Sequence, residues 1–118
     1  MLEGGVVAIL NYMDDCVFCR VVKGEEKAEI IRKTENFIVF KDINPQAAIH
    51  FLIVPTSHIK DITEIKDELW KEIKDVSVLL AREKSLKGFK LIHNAGDAAA
   101  IPHMQVHFLG DVTPERAT

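Results

Sequence analysis

Between Pro102 and Gly110 the chain reads Pro-His-Met-Gln-Val-His-Phe-Leu-Gly, polar and apolar in turn through His107. Alternation at a period of two marks a strand with one buried face. Pro102 is acceptable at a strand's first position. The consequence is chemical. On a helix, His103 and His107 would be neighbours able to clasp one ion. On a strand they lie about 13 Å apart and must do separate work. The pattern predicts a strand over 103–110, with His103, Gln105 and His107 in one row at intervals of about 6.6 Å. Such a row can line a phosphate-sized site. Two solvated histidines on an edge strand are the plain alternative.

The remaining elements follow from periodicity and breakers. Asp14 and Asp15 are candidate N-caps for a short helix through Cys16–Lys23, with Gly24 as its stop. Two β-rich stretches within 28–41 flank Lys33-Thr34-Glu35-Asn36 and suit a hairpin. Pro45 breaks the next loop, and His50-Phe51-Leu52-Ile53-Val54-Pro55 reads as a central strand. Asp67 is placed to cap a helix over 68–86, whose Leu69, Ile73, Val76 and Leu80 share one face. Gly88 is its expected end, and 89–94 a further strand. Successive strands with one segregated long helix predict an α+β fold with an antiparallel sheet.

At 118 residues the chain suits one domain. Residues 1–12 differ in character from the rest of the chain and read as an N-terminal extension, leaving 13–118 as the domain. The formal charge of −3 lacks the basic footprint of a nucleic-acid-binding domain. No apolar run approaches the ~20 residues that span a bilayer, and Val6–Leu10 lacks the basic flank of a signal peptide. A cytoplasmic location is the expectation. Two cysteines are too few for a disulfide framework. Cys16 and Cys19, spaced C-x-x-C, are half a metal site, a redox pair, or two small buried thiols. If a metal is bound, histidine must supply the other half, since no other cysteine exists.

Pro102–Gly110 resembles the signature of the histidine triad (HIT) family, in which three histidines alternate with apolar residues. Asp42–Ala47, His50–Pro55 and His58-Ile59 resemble that family's central strand and its flanks. Cys16–Glu25 resembles its first helix. The likeness runs from about residue 14 to 110, and the Hint-type nucleoside phosphoramidases are the branch it resembles most. It implies a homodimer that binds a purine nucleotide such as AMP or GMP; apart from the resemblance, the 68–86 helix with Trp70 offers a contact face. By position, Val17, Phe18, Val21, Phe40 and Ile43 would wall the base. Asp42 would accept from the ribose hydroxyls, and Asn94 would reach the phosphate beside His103, Gln105 and His107. His50 is read as structural. The resemblance also implies a structural zinc held by Cys16, Cys19, His58 and His103.

Two departures bear on activity. The family's middle histidine attacks the α-phosphorus; here that position is Gln105. A carboxamide nitrogen has its lone pair delocalised into the carbonyl and is a poor nucleophile, although it still donates hydrogen bonds. Asp97-Ala98-Ala99-Ala100-Ile101 replaces a longer Gly-Gln-Ser/Thr-containing stretch and lacks its hydroxyl. The expectation is reduced hydrolase or transferase activity on phosphoramidate or phosphoanhydride bonds. Any turnover would use water oriented by Gln105, with His107 as base. A nucleotide sensor or scaffold that does not cut is the alternative.

Overall fold

The computed structural model describes residues 15–114. The expected 1–12 extension lies outside the described residues. Helix α1 (Val17–Lys23) is followed by strands β1 (Ile30–Lys33), β2 (Phe37–Lys41) and β3 (Ile49–Pro55). Helix α2 (Asp67–Glu83), strand β4 (Phe89–His93), a 3₁₀ turn at Gly96–Ala98 and strand β5 (Val106–Gly110) complete the order. The five strands form one antiparallel sheet ordered β1-β2-β3-β5-β4, so β3 is central as expected. No helix among the described residues is long and apolar enough to cross a membrane.

Strand periodicity divides the core in two. Phe37, Val39, Phe51, Ile53, Val106 and Phe108 face α2 and pack with its Ile73 and Leu80. Ile38, Phe40, Leu52 and Val54 face the other way, against Phe18, Cys19 and Val21 of α1. Burying each large aliphatic contributes roughly 1.5–3 kcal/mol, so the sheet clamps both helices. Helix α1 is short and packs against β2 and β3 on its face of the sheet. Beyond it, the β5–β4 part is where His107 and Ile92 stand opposite each other.

Three boundaries differ from the sequence reading. Cys16, not an aspartate, caps α1: its Sγ accepts from the Cys19 N–H at 3.4 Å. Gly24 ends that helix as expected, at φ 82°, where a side chain is disfavoured. Helix α2 begins with Asp67 inside its first turn and Lys66 as N-cap, and stops at Glu83. The helix thus ends before the expected Gly88, and Ser85, just past the helix, takes the left-handed conformation at φ 53°. The strand predicted over 103–110 begins only at Val106. Its pairing to β3 ends at Ile53↔Val106. Further back, the Met104 N–H leaves the sheet and donates to the Ile59 carbonyl at 2.6 Å.

Candidate functional site

That departure separates the three residues expected in one row. His103 is fully buried, with 0% of its surface exposed, and sits among the cysteines. Gln105 and His107 are half-buried and line two cavities on the α1 side of the sheet. The first cavity, 330 Å³, is bounded by Val17, Phe18 and Val21 of α1 and by Phe40, Leu52 and Ile101, with Asp42, Ile43 and Gln105 at its border. Its walls are apolar because β2 and β3 turn Phe40 and Leu52 toward the helix at paired positions. The second, 420 Å³, is lined by Asp42, His50, Asn94, His107 and neighbours. Asp42 borders both cavities.

Cross-strand register builds the polar end. Leu52 stands opposite His107, and His107 opposite Ile92. Asp42, just past β2, donates its N–H to the His50 carbonyl at 3.0 Å. Its Oδ1 accepts from Asn44 N–H at 2.9 Å, and its Oδ2 lies 3.3 Å from His50 Nε2. The Gln46 N–H donates to His50 Nδ1 at 3.0 Å. An accepting Nδ1 requires the His50 proton to be on Nε2. That Nε2–H lies 2.9 Å from His107 Nδ1, which therefore accepts. His107 in turn carries its proton on Nε2. Burial, and then the neighbouring His50, hold His107 below the usual imidazole value against the pull of Asp42. Although Asp42, His50 and His107 cluster closely enough to suggest a cation, the proton on His50 Nε2 occupies the lone pair a metal would need.

The second cluster has the opposite character. The ligand atoms of Cys16, Cys19, His58 and His103 all lie within 4.8 Å of one another. Cys16 Sγ is 3.3 Å from His103 Nδ1, Cys19 Sγ is 3.4 Å from the same nitrogen, and Cys19 Sγ is 3.1 Å from His58 Nδ1. Donors around a tetrahedral zinc stand roughly 3.3–3.8 Å apart, given its bond lengths. His103 Nε2 is 3.0 Å from the Pro55 carbonyl, which can only accept. The proton is thus on Nε2, and the Nδ1 lone pair points at the sulfurs. Burial lowers the His103 pKa to about 4, so the ring is neutral and available as a ligand. A carbonyl-fixed imidazole with its free lone pair among two thiols is the arrangement metal-binding histidines adopt. The donor set fits a closed structural zinc.

Of the residues expected at the site, Val17, Phe18, Val21, Phe40, Asp42, Ile43 and Gln105 border the first cavity. Asp42, Asn94 and His107 border the second. Cys16, Cys19, His58 and His103 form the cysteine cluster. Leu52 and Ile101 also wall the first cavity, and sequence reasoning passed over both. The alternation of His50–Pro55 could have found Leu52, which shares the face of His50. Ile101 had no comparable signal.

Comparison with known proteins agrees with this architecture. The family model described as "Scavenger mRNA decapping enzyme C-term binding" matches residues 15–116. A HIT-like protein from Methanocaldococcus jannaschii is 33% identical over 96 residues, covering 79% of this chain and 74% of that protein. A HIT family hydrolase from Clostridium thermocellum superposes with a TM-score of 0.80 at 34% identity, covering 89% of this chain and 97% of that one. A zinc-bound histidine triad family protein from Mycobacterium smegmatis gives a TM-score of 0.77 at 28% identity, covering 88% and 80%. The chain belongs to the histidine triad family.

Proposed function

We propose that this chain binds a purine mononucleotide across its two adjoining cavities and that its covalent hydrolytic route is closed at Gln105. The observation that carries this reading is the meeting of an apolar slot and a polar hollow at Asp42. Phe18 and Phe40, in tilted contact with ring centroids 6.0 Å apart, together form an apolar wall against which a base can lie. Each Asp42 oxygen keeps acceptor capacity for a ribose hydroxyl beyond its protein contacts. Asn94 and the His107 Nε2–H donate to the phosphoryl oxygens.

Gln105 stands where the family's middle histidine attacks phosphorus. Its Nε2 donates to the His103 carbonyl at 3.3 Å, and its lone pair is delocalised. No covalent intermediate forms there, and water is the only attacker available. His107 is ill suited as the base for that water, since its acceptor nitrogen is engaged by His50. These features favour a protein that holds a nucleotide over one that turns it over rapidly. The zinc-bound relative and the fit of the donor set support a zinc held by Cys16, Cys19, His58 and His103. It would supply a fixed tetrahedral brace. A homodimer is the assembly we propose, by family likeness, with exposed Trp70 on α2 among the residues it would cover.

Incubation with an adenosine phosphoramidate tests the reading. The wild-type chain is expected to bind it and release AMP at least ~1,000-fold more slowly than Gln105→His, in line with the large rate losses seen when a nucleophile is removed. Failure to bind, or rapid release by the wild type, would contradict it.

A further inference from the structure

The segment from Asn94 to Gln105 delivers Asn94, Ile101 and Gln105 to the cavities, yet Asp97-Ala98-Ala99-Ala100-Ile101 offers little to hold it in place. Its side chains are short or apolar except Asp97, and only the Gly96–Ala98 turn is regular. Besides the buried His103, a second element holds it, the 59–63 turn after β3. Three links join the two. The Met104 N–H donates to the Ile59 carbonyl at 2.6 Å. The Gly96 N–H donates to Asp61 Oδ2 at 3.1 Å. The Ile62 N–H donates to His93 Nε2 at 3.0 Å, and His93 Nδ1 lies 3.0 Å from the Gln105 carbonyl.

The geometry fixes the role of each atom. Because His93 Nε2 accepts from a main-chain amide, its proton is on Nδ1 and is donated to Gln105. His93 is thus a two-ended strut between the turn and the residue at the nucleophile position. Asp61 is buried, with 2% of its surface exposed, and its other oxygen accepts from both the Thr63 N–H and the Thr63 hydroxyl. Those bonds hold its carboxyl below the ordinary value, so it is ionised. A fixed anion in the turn therefore grips the amide two residues beyond Asn94. Asn94 itself lies between His93 and Gly96, the two anchored positions.

We propose that His93 and Asp61 are positioning residues for the phosphoryl end of the ligand: they set where Asn94 and Gln105 stand without touching the ligand themselves. This rests on the nucleotide-binding reading above. Neither residue borders the two cavities, so neither is expected to contact the base or ribose.

The test compares AMP with adenosine, which lacks the phosphate, on zinc-loaded protein by calorimetry. Wild type is expected to bind AMP at least tenfold more tightly than adenosine. His93→Phe, which keeps a ring and loses both hydrogen bonds, is expected to lose most of that ratio while adenosine affinity stays within about twofold. The ³¹P resonance of bound AMP should move toward its free position. Asp61→Asn attacks the brace from its other end and should reproduce the selective loss, even if His93→Phe fails to fold. An unchanged ratio in a folded variant, or equal loss of both ligands, overturns the proposal. Wild type that binds neither ligand refutes the nucleotide reading instead, and this proposal with it.

Discussion

His103 owes its neutral state to burial and its tautomer to a single carbonyl, that of Pro55. With no exposed surface, it is held near a pKa of about 4, against an ordinary value of 6.5. A histidine with a depressed folded value supports the fold while neutral. Its contribution is complete above pH 6.5 and is lost as pH falls toward 4. The difference corresponds to about 3 kcal/mol at full effect. In metal-free protein, the urea midpoint should therefore drop steadily between pH 6.5 and 4. A His103→Gln variant, although weaker overall, should show a flatter acid limb. Equal slopes for the two proteins would mean that the ring is not buried as described.

At the scale of elements, periodicity was a good guide wherever one face of a helix or strand decided the outcome. Leu69, Ile73, Val76 and Leu80 lie along the core side of α2, and Gly24 ends α1 in the conformation its lack of a side chain permits. The misplaced boundaries were decided by contacts distant in sequence. Strand β5 starts late because Met104 bonds to Ile59, far back in the chain, and alternation carries no trace of that partner. Cys16 caps α1 because its sulfur accepts the Cys19 N–H, a task that local preference assigns to aspartate. Gly110 shows how tightly the strand ends are packed. A Cβ there would meet Leu86 Cδ1 at 2.8 Å and Ile49 Cβ at 3.1 Å. Gly110→Ala should cost roughly 1–3 kcal/mol through overpacking, read as a lower denaturant midpoint with the slope unchanged. A neutral result would place slack where β5 meets β3.

For the molecule as a whole, the cysteine cluster draws three parts of the chain, distant in sequence, onto one point. Cys16 and Cys19 come from α1 and its cap, His58 from the turn after β3, and His103 from the approach to β5. Zinc is expected at one equivalent by elemental analysis. Cys16→Ser should abolish it and lower thermal stability by several degrees, whereas a chelator that leaves the melting curve unchanged would argue against a structural ion. The membership of this cluster was legible in the sequence only through family likeness. Spacing announced the cysteine pair, but nothing local said which histidines would join it. The same holds for the first cavity, whose apolar walls are ordinary core types until the fold leaves a gap beside them. The positions of His93 and Asp61 between two loops were not legible for a further reason: neither loop has a recognisable pattern of its own.

The hydrogens along Gln46, His50 and His107 all run one way, from a main-chain amide outward to the cleft. An amide cannot reverse its direction, so the last ring in the series is committed to giving a proton and never to receiving one. Whatever docks beside it must arrive with lone pairs. An acceptor oxygen is met by that ring, while a hydroxyl or an N–H edge finds its partner in the Asp42 carboxylate of the same hollow. The hollow thus tells the two ends of a polar visitor apart before any bond is made or broken.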